Sequence, residues 1–334
     1  MKILVFIGLI LLSCSPKVAK TPTENSKKNA NNKIRLIIDT DANNELDDQH
    51  ALAYAFNNQD IFDIEGITIN NTRYGDGIEG HYQEAMRILK LCNEDKNIPV
   101  FKGASGLFSD IVSHVNENEF DGKDAVDFII AQAKLKDERK LVLLPVGKLT
   151  NIALALRRAP EIRDRITVVW LGSNYPEPGE YNLDNDTTSV NPVIQSGVPF
   201  EMVVVRYDKP SGTGAVSITR EEINSKMPGK GVVAKGAVEG RHGGEFKTFG
   251  DYSVNLFEHA QMHGNPPARS LFDMAAVAVL KNPTWAQKVK IPAPQLSGNS
   301  WIVKDKAKHS IWIWENFKRD AIIEDMFRGL NKKK

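Results

Sequence analysis

From Lys33 onward the chain alternates short, continuously apolar runs with helical patterns. The runs are "KIRLIID" (33–39), "DIEGITIN" (63–70), "IPVFKG" (98–103), "KLVLLPVG" (140–147), "ITVVWLGSN" (166–174) and "FEMVVVR" (200–206). A strand with one wet face alternates apolar and polar side chains, whereas a strand covered on both faces stays apolar throughout. Helical patterns fall between the runs: "GIEGHYQEAMRILKLC", "DAVDFIIAQAKLK", "LTNIALALRRAP" and "NPVIQSG". This rhythm predicts an α/β fold: a doubly wound, mainly parallel sheet with helices on both faces. No internal repeat or composition break interrupts 34–330, which is expected to form a single domain. The stretch 207–270 is richer in Gly and polar residues, and is expected to fold as helices and loops over the strand ends, a candidate lid.

In such sheets ligands bind beyond the carboxyl ends of the strands. Those ends carry Asp39 and Asp41, Asn70 and Asn71, Val146 and Gly147, and Ser173 and Asn174. The first end is also the most acidic: Asp39, Asp41, Glu45, Asp47 and Asp48 occupy ten positions. Like charges this close repel, and something must compensate them. Helix capping would account for Asp47 and Asp48 in a first turn, but not for five acids. A hard cation with carboxylate oxygens as ligands accounts for the cluster better. The spacing is not that of an EF-hand loop. A strand ending in Asp-x-Asp also occurs in haloacid-dehalogenase-type phosphatases. Here Asn43 stands where those motifs usually continue with Thr or Val, and a paired Asp-Asp follows.

The N-terminus has a different character. "MKILVFIGLILLSC" is one Lys, an apolar run and a small residue before Cys14, too short for a permanent membrane helix. Residues 1–13 are expected to be a lipoprotein signal peptide. "LLSC" resembles a bacterial lipobox, which would make Cys14 the lipidated first residue of the mature chain. A plain secretory signal or a buried cysteine is the alternative. Residues 14–33 then form a polar, flexible tether. The expected location is the bacterial cell envelope, as a lipid-anchored periplasmic or outer-membrane lipoprotein, touching the membrane only through the lipid. Cys92 would be the one other cysteine, so no disulfide framework is expected. The 43 basic and 42 acidic residues nearly cancel, which gives no sign of a nucleic-acid partner.

Four segments together resemble the calcium-dependent nucleoside hydrolases, the inosine/uridine-preferring N-ribohydrolase family. "DTDANNELDD" carries the acids of the family's N-terminal signature, with two extra residues between the pairs and no Pro-Gly. "LLPVGKLTNIALAL" (143–156), "GEYNLDND" (179–186) and "SLFDMAAVAVL" (270–280) follow in the family's order. The resemblance implies hydrolysis of the N-glycosidic bond of ribonucleosides or related ribosides, with Ca2+ as cofactor and nucleoside scavenging as the role. It implies Asp41 as general base and calcium ligand, and Asp48, the Val146 carbonyl and Asp273 as further ligands. Asp47, Glu180 and Asn182 would hold the ribose hydroxyls, with Asn70 or Asn71 reaching the sugar. Asp39 would support the ligands from behind, and Leu171 would face the sugar. The expected partner is a small-molecule nucleoside or riboside; a homo-oligomer is compatible with the resemblance.

The chain departs from the family at Phe272, where many members have a His that protonates the departing base. A phenyl ring cannot donate a proton. Phe272 would stack on the base, count among the substrate-binding residues, or simply fill core. His242, His259, His263, Tyr175 and Tyr181 are alternative donors, each also readable as structural or surface residues. Trp170 is expected in the core. The competing expectations are a non-catalytic calcium- and sugar-binding lipoprotein and a hydrolase of another glycosidic substrate.

Overall fold

A computed structural model describes residues 32–303, 307 and 309–331. The expected signal segment 1–13, Cys14 and most of the tether 14–33 lie outside the described residues. The apolar runs become the strands β1 (Ile34–Thr40), β2 (Phe62–Ile69), β3 (Val100–Lys102), β4 (Leu141–Pro145), β5 (Ile166–Ser173) and β6 (Phe200–Val204). Two more follow, β7 (Gln287–Pro292) and β8 (Ser310–Glu315). The eight form one sheet in the order β7-β8-β6-β5-β4-β1-β2-β3. Neighbours run parallel except β7, which pairs antiparallel with β8 at the edge.

Successive strand residues point to opposite faces, and each face has its own apolar layer. Leu36 and Ile38 of β1 join one layer and Ile37 the other. The first layer takes the helices α1 (Asp47–Phe56), α2 (Gly77–Leu91), α7 (Phe249–His259), α8 (Phe272–Lys281) and α9 (Arg319–Leu330). The second takes α3 (Lys123–Lys134), α4 (Thr150–Arg158) and α6 (Thr187–Gln195), with the short α5 (Tyr181–Asn185) leading into α6. This is the doubly wound, mainly parallel architecture.

The chain leaves β1 for β2 and β3 on one side, then returns to place β4 on the other. The resulting switch point lies between β1 and β4, where a crevice opens at the strand ends. All ten residues of α1 are buried, and it packs against α8. Alanines on both helices (51, 53 and 55; 275, 276 and 278) supply small surfaces at this core. The stretch 207–270 includes the strand Ser217–Thr219, which pairs antiparallel with Ala268–Ser270, besides α7.

Candidate active site

Asp41 follows the last residue of β1. Asp47 and Asp48 open α1, and Asp273 sits in the first turn of α8. Two helix N-termini, each favourable to negative charge, therefore bring their acids to one place. Carboxylate oxygens of Asp47, Asp48 and Asp273 all lie within 4.8 Å of one another, and all three residues are buried. These residues and Asp41 line a cavity of about 810 Å³. Its wall also includes Val146, Leu171, Glu180, Asn182 and Phe272.

Neutral donors hold several of these acids. Thr40 Oγ1 donates to Asp48 Oδ1 at 2.5 Å, and Thr72 Oγ1 donates to Asp41 Oδ2 at 2.5 Å. Asp41 Oδ1 is buried without a hydrogen-bond partner. Asp39 sits behind the cavity wall and accepts from Thr68 Oγ1 (2.6 Å), Asn70 Nδ2 (2.7 Å) and Asn151 Nδ2 (2.7 Å). Asn70 thus points to Asp39 and does not line the cavity. A Cβ on Gly147 would stand 2.4 Å from Asn70 Oδ1, so only glycine leaves room for that amide. Asn71 also lies off the cavity, its Nδ2 donating to the Ser105 carbonyl at 3.3 Å. Asn182 Nδ2 donates to the carbonyls of Val146 (2.8 Å) and Leu171 (3.1 Å). Glu180 caps α5 by accepting from Leu183 N–H at 3.0 Å.

The electrostatics are those of a site that wants a cation. Burial pushes Asp41 up to about 7 and Asp47 up to about 6. Burial, then the charges of neighbouring aspartates, drives Asp48 and Asp273 well above the carboxylate range. Glu180 is raised to about 8 by burial, despite the backbone N–H groups that favour its anion. Asp39 rises only to about 6, because its three hydrogen bonds and Lys148 offset part of the desolvation. Lys148 is itself buried, with Nζ donating to the carbonyls of Ser105 (3.1 Å) and Gly106 (2.7 Å). Clustered buried carboxylates with an orphaned oxygen beside them fit a hard cation, which takes oxygen ligands and neutralises their repulsion. Val146 lines the same cavity, and its carbonyl keeps a second lone pair beside its bond from Asn182.

Among the histidines considered as donors, His263 lines the cavity. His242 and His259 stack on each other, with ring centroids 4.4 Å apart, and line a separate, smaller cavity with Arg241. Tyr181 lines the main cavity, while Tyr175 packs edge-on to Trp301. Trp170 is fully buried. Sequence reading passed over Thr40, Thr72, Asn151, Lys148, Tyr207 and Arg269. Thr40 and Asn151 stand within the quoted "DTDANNELDD" and "LLPVGKLTNIALAL", but as neutral partners of carboxylates they do not announce their role, and Thr72 lies in no quoted segment. Lys148 stands within the quoted "LLPVGKLTNIALAL", beside a predicted strand end.

Fold and site together define an α/β protein with a carboxylate-lined cavity at the switch point of its sheet, built to receive a cation. The chain belongs to the inosine-uridine preferring nucleoside hydrolase family, whose family model matches residues 36–323. An uncharacterised protein of Schizosaccharomyces pombe is 32% identical over 139 residues, covering 40% of this chain and 44% of its own. The pyrimidine-specific ribonucleoside hydrolase RihA of Shewanella oneidensis is 30% identical over 189 residues, covering 50% of this chain and 57% of its own. The chain spans about half the length of such curated relatives. A solved plant nucleoside hydrolase, PpNRh1, shares the fold with a TM-score of 0.67 at 16% identity, covering 90% of this chain and 99% of that one.

Proposed function

We propose that the protein is a calcium-dependent N-ribohydrolase that splits ribonucleosides or related ribosides into base and ribose. One observation carries this reading most directly. Asp41 offers a buried, unpartnered oxygen to the same cavity that the Asp47, Asp48 and Asp273 cluster and the Glu180–Asn182 segment line. A binding site for a neutral sugar would not need an orphaned carboxylate oxygen there.

Asp41, Asp48, Asp273 and the Val146 carbonyl are the groups that would hold the cation. Calcium there supplies Lewis acidity, which makes water easier to deprotonate, and an affinity for vicinal hydroxyls. Asp41 takes the water's proton as general base, with Thr72 fixing its other oxygen. Asp47, Glu180 and Asn182 hold the sugar hydroxyls. Breaking the sugar–base bond builds positive charge on the sugar ring, and the surrounding carboxylates favour it. The bond from Thr40 keeps Asp48 turned toward the end of β1.

The relatives bear names that specify pyrimidine ribonucleosides in one case and inosine and uridine in another. The substrate class proposed here is accordingly the ribonucleoside, without a choice of base. The test is a product screen of the calcium-loaded protein against purine and pyrimidine nucleosides and p-nitrophenyl riboside. Release of base and ribose, abolished by chelation, is the expected result. Sugar binding without release of base would favour the second reading, a calcium- and sugar-binding protein, for which Phe272 in place of a proton donor speaks. We further propose that the protein is exported and lipid-anchored through Cys14, placing the reaction in the cell envelope.

A further inference from the structure

We propose that Tyr207 donates the hydrogen bond that the departing base needs, and that Phe272 is the wall against which that base rests. This assignment rests on the hydrolase reading above. With a phenyl ring at Phe272, a donor must come from elsewhere on the cavity wall, which also carries Tyr181, Lys209, His263, Arg269 and Ser270. Ser270 Oγ already donates to the Gly214 carbonyl at 2.8 Å. Lys209 Nζ is turned to Glu177 at 3.0 Å. Arg269 pairs with Glu45 and donates to the Gln261 carbonyl at 3.2 Å and to His263 Nε2 at 3.1 Å. Guanidinium only donates, so His263 Nε2 accepts that bond and only Nδ1 of the neutral ring carries a proton. Tyr181 stacks on Tyr74, and its oxygen accepts from Tyr74 N–H at 3.2 Å, on the side of the cavity where Thr72 meets Asp41.

Tyr207 differs in what its ring touches. Its ring meets Phe272 edge to face, with centroids 5.9 Å apart and planes at 79°. Its oxygen accepts from the backbone of Tyr181 beside Glu180, the segment proposed to hold the sugar, which leaves its O–H proton to donate. A donor there stands at the junction of sugar and base. The residue is 43% exposed and lines the cavity, open to a ligand. The loop that presents it is held in an unfavourable shape. Arg206 and Asp208 on either side have φ of 45° and 58°, a region that non-glycine residues seldom adopt. Such strain persists only where surrounding bonds over-determine it, and it clusters at functional sites. Here Arg206 Nη1 pairs with Glu315 at 2.6 Å, Arg206 Nε donates to the Tyr175 carbonyl, and Tyr207 N–H donates to Asn174 Oδ1.

In the step itself, the bond from the sugar's anomeric carbon to the base nitrogen breaks and its electron pair leaves with the base. The Tyr207 O–H hydrogen-bonds to the base atom that gains this charge. Water adds its hydroxide to the anomeric carbon and gives its proton to Asp41. That proton reaches the released base through solvent, so riboside and water become ribose and neutral base. A phenol keeps its proton near neutral pH, so Tyr207 is in its donating form there.

The test compares the calcium-loaded wild type with Tyr207→Phe, which removes one oxygen and keeps the ring against Phe272. The substrates are the nucleoside that wild type cleaves best and p-nitrophenyl riboside, whose leaving group needs no donor. A donor role predicts that kcat on the nucleoside falls by about 10²-fold, while the nitrophenyl substrate and both KM values change by no more than about threefold. An unchanged nucleoside rate, or an equal loss on both substrates, would overturn the assignment while leaving the hydrolase reading intact. A wild type that cleaves neither substrate would overturn the hydrolase reading, and this assignment with it.

Discussion

Thr40 and Asp48, the last residue of β1 and the second of α1, are joined by a hydrogen bond from Thr40 Oγ1 to Asp48 Oδ1 at 2.5 Å. Eight residues apart in sequence, they lock the acidic turn between strand and helix, so the carboxylates face the cavity together. Replacing Asp48 by Ala removes both this tie and a proposed ligand, and leaves Asp47 and Asp273 to repel each other. Asp48→Ala is expected to lose calcium binding by calorimetry and most hydrolytic activity. Unchanged calcium stoichiometry would refute the assignment of Asp48 as a ligand.

The raised carboxylates also set a pH dependence. In the metal-free protein burial pushes Asp39 and Asp47 up to about 6, Asp41 up to about 7 and Glu180 up to about 8. Unfolded, such groups titrate near about 4. The folded state therefore holds protons that the unfolded state has released, and stability falls as pH rises through this window. Chelated protein should melt at lower temperature as pH goes from about 4 to about 8. Added calcium should raise the melting temperature more at pH 8 than at pH 5, since it replaces the missing protons. A chelated protein whose melting temperature climbs across this range would contradict the proposed desolvation of the cluster.

Asn151 tests the support behind the site. Its amide donates to Asp39 Oδ2 and to the Ile69 carbonyl, and its oxygen accepts from Ala104 N–H. Asn151→Ala would leave these buried groups short of partners, at a cost of about 1–3 kcal/mol each at most. Urea denaturation should show a lowered midpoint with little change in slope, and calcium should bind more weakly. A variant as stable as wild type would mean that water replaces the amide.

Phe272→His offers the departing base a donor that the chain lacks at this position. If the imidazole reaches the base, the natural nucleoside should gain more than p-nitrophenyl riboside, because only the poorer leaving group needs the proton. Equal changes on both substrates would indicate altered packing against Tyr207 instead.

Lipid attachment at Cys14 is checked by mass. Wild type from membranes should carry an acyl modification and lack residues 1–13, while Cys14→Ser should carry neither change. A soluble, unacylated wild type would remove the anchor from the picture.

How far the sequence could be read varies with what each residue's neighbours demand. The strands β1, β2, β4, β5 and β6 were plain because both their faces are covered, which keeps their runs apolar. β7 and β8 were not, because "QKVKIP" sits at the sheet edge and alternates with lysines, and "SIWIWE" leaves Trp312 partly exposed. An edge strand carrying lysines is a common guard against pairing with another chain. Among the site residues, Asp47, Asp48 and Asp273 are acids at helix starts, which a one-dimensional pattern can show. Asn70 and Asn71 lay at a strand end, yet one turns back to Asp39 and the other to Ser105, a choice made by neighbours far along the chain. Tyr207 carries no motif at all. Its relevance arises from a fold that brings its ring to Phe272, 65 positions away.

The complete burial of α1 has a consequence for how such a chain can change over time. Asp47 and Asp48 belong to a helix with no exposed residue, so replacing the groups around them disturbs the packing of the whole protein. Tyr207, Asp208 and Lys209 sit on an exposed loop whose alteration leaves that interior alone. On the hydrolase reading, the preference for a base can therefore be altered by small edits at the rim, while changes to the groups that meet the sugar disturb the whole interior.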